Sequence, residues 1–151
     1  MQNQNELCGY EQEQHLIGSL SSRGPQDAAF NQSIALPATA SAAVYTPSIN
    51  IIQADSMVEH FWLKPYVPTI GTQLGSAYTL TIELQHSSDN STFVRIPELS
   101  DLTITGDAGT PFEDNILLPP GTLQYVRAAF TTGATIVSTL AGYTGAISLR
   151  F

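Results

Sequence analysis

An all-β fold, two sheets packed face to face, is what these 151 residues predict from position 31 onward. Three observations carry that expectation. Apolar and polar residues alternate with a period of two in short runs. Nine prolines and eleven glycines punctuate the chain at short intervals. Prolines at 97, 111, 119 and 120 also leave few places for a helix to form.

The elements follow in order. Residues 32–36 read as a first strand, ended by Pro37. Residues 48–54 carry Ile49, Ile51 and Ile52. Residues 57–64, MVEHFWLK, form a run bounded by Pro65. Residues 77–86 alternate most cleanly, with Tyr78, Leu80, Ile82 and Leu84 on one face and Thr79, Thr81, Glu83 and Gln85 on the other. Residues 92–96 follow, ended by Pro97, and the short run 102–105 stops at Gly106. Residues 117–118 enter the Pro119-Pro120-Gly121 turn. The run 122–131 is long and largely apolar. Residues 143–151 place Ile147, Leu149 and Phe151 opposite Ser148 and Arg150. Each half-apolar sheet must bury one face, so a sandwich follows. Eight or nine strands in about 120 residues fit a jelly roll. An immunoglobulin-like sandwich is the runner-up, but its Cys–Trp–Cys spacing needs more than the single Cys8.

Residues 1–30 differ from the rest and read as a polar N-terminal arm, with residues 31–151 as one sandwich domain. Residues 1–14 hold nine Gln, Asn or Glu. The weak stripe Leu7, Tyr10, Ile17, Leu20 is interrupted by Gly9 and Gly18, each lowering helix stability by about 1 kcal/mol. Such a segment builds no core of its own. It is either disordered or ordered on a partner, with Leu7, Tyr10, Leu16 and Ile17 as the anchors.

Apolar residues make up 42% of the chain and charged residues only 12%, about half the usual share. The net charge is −8. The five basic residues, Arg23, Lys64, Arg95, Arg127 and Arg150, are scattered, which argues against nucleic-acid binding and against a polybasic membrane patch. One cysteine permits no internal disulfide and no cysteine-based zinc cluster. The opening MQNQNE has no signal-peptide character and no apolar run is long enough to span a bilayer, so synthesis in the cytoplasm is expected.

Candidate chemistry is sparse. The stretch LTIELQHSSDNSTFVRI at 80–96 places His86, Ser87, Asp89 and Asn90 together and contains the sequon Asn90-Ser91-Thr92. Neighbours in a turn diverge, whereas a catalytic triad must converge, so the stretch reads as a hairpin tip. No G-x-S-x-G elbow occurs. His60 and His86, with Glu59 or Glu83, would make a metal site only if two strands brought them together. Asp101, Asp107, Glu113 and Asp114 lack the calcium-loop pattern. The expectation is therefore no catalysis, no metal and no cofactor. Trp62 points opposite to Phe61 and Leu63 on a strand. Core packing is the favoured account of this run; an exposed Trp62 beside Tyr66 would instead make a binding platform.

The run from 77 to 151 has a recognisable order. YTLTIELQHSSDNSTF is followed by a short strand, then ILLPPGTLQYVRAAFTT with its Leu-Pro-Pro-Gly turn, then a terminal GAISLRF. This order resembles the capsid cement, or decoration, proteins of tailed bacteriophages, over residues 34–151. The segment 65–75 and the arm have no counterpart in that resemblance. It implies a single jelly roll, assembled as a homotrimer on the exterior of the head, binding the major capsid protein and tying neighbouring copies together. Arg127, in the middle of an apolar strand, would then need a carboxylate partner or an interface, or else lie at an edge with its head in water. The alternative is a carbohydrate- or receptor-binding module of a virion.

Overall fold

The computed structural model describes residues 30–53, 61–75, 78–106, 109–136 and 140–150. Eleven strands are present among them: β1 Asn31–Ala35, β2 Ala43–Tyr45, β3 Ile49–Asn50, β4 Trp62–Val67, β5 Thr79–Ser87, β6 Val94–Arg95, β7 Leu102–Thr105, β8 Phe112–Glu113, β9 Ile116–Leu117, β10 Tyr125–Thr132 and β11 Thr144–Arg150. All pairings are antiparallel.

Three of the strands are broken in two. β2 and β3 both pair β10, β6 and β7 both pair β5, and β8 and β9 both pair β4. Counting each broken strand once leaves eight positions in chain order. Sheet A then runs 1-8-3-6 and sheet B runs 2-7-4-5. Position 1 pairs 8, 2 pairs 7, 3 pairs 6 and 4 pairs 5, which is a long double hairpin rolled into a sandwich. That is the jelly roll.

Each break has a local cause. Pro65 lies inside β4, so the strand does not stop there as the sequence suggested. The Leu118 amide donates to the Phe61 carbonyl at 2.8 Å, so odd residues of β4 face the β8–β9 side. The donor that Pro65 lacks is therefore missing on that side, where the partner strand is interrupted at Asp114 and Asn115. Between β2 and β3 the register against β10 shifts by one residue, a bulge spanning Thr46, Pro47 and Ser48. Thr46 repairs the ladder: its hydroxyl accepts the Ala128 amide at 3.1 Å and its own amide donates to the Ala128 carbonyl at 2.9 Å.

Other boundaries depart from expectation for equally local reasons. The run 48–54 shortens to β3 because the Asn50 side chain accepts the Ile52 amide at 3.1 Å and turns the chain into a single helical turn, Ile51–Gln53. The last strand but one begins at Tyr125 rather than 122. Thr122 closes the turn onto the Pro119 carbonyl at 3.2 Å, and the Leu123 amide donates to His86 Nδ1 at 3.2 Å, outside the ladder. β2 and β8 are too short to show alternation. A four-residue helix, α1 Gly71–Leu74, seats the fully buried Leu74 in the core. Residues 57–60 and 151, expected in strands, lie outside the described residues.

The core lies between the sheets. Sheet B contributes Leu80, Ile82 and Leu84 from β5 and Val126, Ala128 and Phe130 from β10; sheet A contributes Leu63, Val67, Ile147 and Leu149. These side chains follow the strand alternation, and burying one large side chain of this kind stabilises the fold by about 1.5–3 kcal/mol. Gly145 of sheet A is packed tightly against Phe130 of sheet B. A Cβ there would sit 2.7 Å from Phe130 Cζ and 2.9 Å from Leu36 Cδ2.

Gly145→Ala should therefore destabilise the protein by about 1–3 kcal/mol in urea unfolding, because a buried ring must shift. Gly121→Ala meets open space but a φ of +91°, and should cost about 1 kcal/mol through backbone strain alone. Equal losses for the two variants would contradict this account of the sheet-to-sheet contact.

Candidate interaction surfaces

With the apolar faces turned inward, the outer faces hold what remains for binding. On sheet A, Trp62 lies across from Leu117 on one side and Arg150 on the other. Tyr66 lies across from Ala146 and Glu113. Trp62 is 40% exposed, Tyr66 37% and Leu117 41%, so these rings and the leucine form a partly open apolar strip rather than core. The preference for core packing at residues 61–63 holds for Leu63 and for half-buried Phe61, but not for Trp62. Lys64 sits between the rings, its Nζ 2.7 Å from Glu113 Oε2. An exposed pair of this kind contributes about 0–1 kcal/mol.

On sheet B the outer face centres on Arg127. Its guanidinium lies between the Tyr45 ring at 4.2 Å and the Phe93 ring at 3.9 Å. Its Nε donates to Gln85 Oε1 at 2.8 Å, and Gln85 Nε2 donates to Glu83 Oε1 at 2.5 Å. Gln85 is directly opposite Arg127 in the ladder, and Glu83 is the next outward residue on β5. Burial under the rings lowers the Arg127 pKa from its ordinary value, while Tyr45 and Glu83 pull it back up. Arg95 flanks this group; it donates to the Leu99 carbonyl at 2.8 Å and lies 3.4 Å from Asp101.

The two sequence-derived contact candidates within the described residues, Trp62 and Arg127, thus lie on opposite outer faces and share no site. Leu7, Tyr10, Leu16 and Ile17 lie outside the described residues. The neighbours of Arg127 were only partly legible. Alternation puts Gln85 and Glu83 on one face, but Tyr45 belongs to a strand of three residues and Phe93 follows a loop.

The residues 86–92 form a hairpin tip. The Asp89 carboxylate accepts the Thr92 amide at 2.8 Å, the Ser91 amide at 2.9 Å and the Ser87 hydroxyl at 2.7 Å. Asn90 takes a φ of +58° and accepts the Ser48 hydroxyl at 2.5 Å. His86 turns inward and Glu83 outward, so those two do not converge on a metal. His60, Glu59 and Asp107 lie outside the described residues. Glu113 is held by Lys64, Asp101 by Arg95, and Asp114 accepts the Asn115 amide at 2.8 Å. Among the described residues no three His, Cys, Asp or Glu side chains lie together as a metal site. An apolar groove of about 340 Å³ runs beside Pro119-Pro120-Gly121, Ile51 and Phe61, lined by no titratable side chain.

No protein-family model matches the chain. No curated protein matches it in sequence. Among solved structures, one titled Desmodium yellow mottle tymovirus is similar over 80% of this chain and 82% of its own, at 13% identity and a TM-score of 0.38. That degree of likeness carries no functional argument, and the jelly roll stands on the strand order of this chain itself.

Two outcomes check these surfaces. The hydrogen bonds from Thr92, Ser87 and Ser91 hold the Asp89 pKa at about 2, below the usual 3.8. A folded-state pKa below the unfolded value means that the loop stabilisation is complete above about 3.8 and is lost as pH falls through about 2. An NMR titration of the Asp89 carboxyl and the Ser91 and Thr92 amides reads this; a midpoint near that of a free aspartate contradicts the capping geometry. Trp62→Ala should change unfolding stability by about 1 kcal/mol or less, since the ring is an outward one; a loss of about 3 kcal/mol or more would place it in the core.

Proposed function

We propose that the chain is a structural virion protein that binds the outer surface of a bacteriophage head as a homotrimer and cements neighbouring major capsid proteins. The observation that carries this reading is the presence of ring-bearing contact groups on both outer faces, Trp62 and Tyr66 on one and Tyr45, Phe93 and Arg127 on the other. A body that ties neighbours together needs more than one adhesive surface, and aromatic and arginine side chains are the usual anchors of protein interfaces. The resemblance to cement proteins adds to it. Its two quoted motifs supply β5 and β10, which pair over eight residues.

The role is one of binding, without catalysis, cofactor, nucleic acid or membrane. Contacts available only on the expanded shell stabilise that shell by mass action. Three linked subunits raise the effective concentration of each weak contact. The arm, through Leu7, Tyr10, Leu16 and Ile17, adds affinity by ordering on a neighbour.

A carbohydrate- or receptor-binding module is the second reading, favoured by the outward placement of Trp62 and Tyr66 on one strand. Glycan-array binding that disappears in Trp62→Ala would support it over the first.

Light scattering should give the mass of three 16.2 kDa chains. Co-sedimentation with expanded heads of the virus that encodes the chain should weaken at least about tenfold in a Trp62→Ser, Tyr66→Ser double variant, and also on removal of residues 1–30, with the melting temperature held within a few degrees. Undiminished binding by the double variant excludes the sheet A face as the capsid contact.

A further inference from the structure

Arg127 is built unlike Lys64 and Arg95, the described cations that hold ion pairs, and unlike the exposed Arg150 it lies under two rings. Lys64 and Arg95 each meet a carboxylate of their own chain, at 2.7 and 3.4 Å. Among the described residues Arg127 has no carboxylate at ion-pair distance; Glu83 acts on it only through Gln85 and at longer range. Two rings fix the plane of its guanidinium, and Gln85, itself held by Glu83, fixes Nε. Its Nη1 and Nη2 groups donate to no protein acceptor among the described residues, yet neither is a sealed, unsatisfied buried atom. The result is a planar fork with its orientation already set, facing outward from the middle of sheet B. Such a fork matches the two oxygens of a carboxylate. The rings also strengthen the interaction by keeping water away from one charged partner.

We propose that the Arg127 fork receives a carboxylate from a second copy of this chain, and so forms part of the subunit contact. This rests on the assembly reading above. Charge balance favours that source: the chain has 13 acidic residues against 5 basic ones, so carboxylates are in excess on its own surface. Glu98 and Asp114 are exposed and in no ion pair among the described residues. Both lie off the sheet B face, Glu98 in the excursion between β6 and β7 and Asp114 in the break between β8 and β9. A cyclic trimer requires this kind of contact, in which one surface of each subunit meets a different surface of the next. Seating an acidic group of the next copy on Arg127, rather than on another acidic patch, also avoids placing like charges opposite each other in a molecule of net charge −8.

The test is sedimentation of the full chain over a concentration series. Arg127→Gln should raise the concentration for half-dissociation at least about tenfold. Arg127→Lys, which keeps the charge but not the fork, should also weaken assembly. A trimer of wild-type strength in Arg127→Gln overturns the proposal while leaving the assembly reading intact. A wild-type chain that stays monomeric overturns both. One measurement needs no variant and holds even if Arg127→Gln folds poorly: at equal ionic strength, acetate should dissociate the wild-type trimer more than chloride does, and equal effects overturn the fork as the carboxylate receptor.

Discussion

The ladder between β5 and β10 is the contact on which the other elements depend. These strands are separated by more than thirty residues of chain yet pair without a break from Tyr125↔Ser87 to Thr132↔Leu80. Period-two alternation then acts on both strands at once. Leu80, Ile82 and Leu84 turn inward with Val126, Ala128 and Phe130, and the opposite residues turn outward as a matched set. A slip of one residue would put Arg127 in the core and Phe130 in water. The inner side gives Phe130 its seat against Gly145 of the other sheet. The outer side places Gln85 directly across from Arg127. Core packing and the most elaborated surface group are therefore two faces of one register.

Closing the sandwich leaves sheet edges, and exposed edges invite pairing with other chains. Here three of the four edge positions are interrupted: by the bulge at Thr46 and Pro47, by the excursion after Ile96, and by the break at Asp114 and Asn115. The interruptions do not leave the core open. Ile96 is fully buried even though its strand stops beside it, and its amide still donates to the Leu84 carbonyl at 3.0 Å. The cost of each break is offset locally, by the Thr46 hydroxyl or by proline positions that need no donor. Broken edges discourage open-ended strand addition and shift the burden of any specific association to the faces.

Those faces differ in chemistry. Sheet A presents Trp62, Tyr66 and Leu117 with the Lys64–Glu113 ion pair between the rings. Sheet B presents a guanidinium wedged between two rings, where arginine serves and lysine would not, because only a planar group stacks on both sides and still offers a fork. With charged residues at 12% of the chain, neither face is dominated by a field of one sign. Such surfaces suit short-range, shape-dependent contact better than long-range steering.

Alternation and turn chemistry in the sequence determined the all-β class, the two-sheet packing and the nature of the 86–92 loop, because each rests on neighbours in the chain. Leu80, Ile82 and Leu84 were legible as core for that reason, and so was Asp89 as a turn residue. Pro65 was misread as a stop because the side on which a missing donor falls depends on which neighbour strand is broken, and that is not local. β2 and β8 were invisible because two or three residues carry no period. Trp62 and Arg127 could be named as contact candidates from their chemistry, but only the pairing of strands distant in sequence put them on opposite faces. The same pairing brought Tyr45 and Phe93, residues from either end of one sheet, to the two sides of a single arginine. Local periodicity fixes which way a side chain points; which residues meet there is decided by tertiary register.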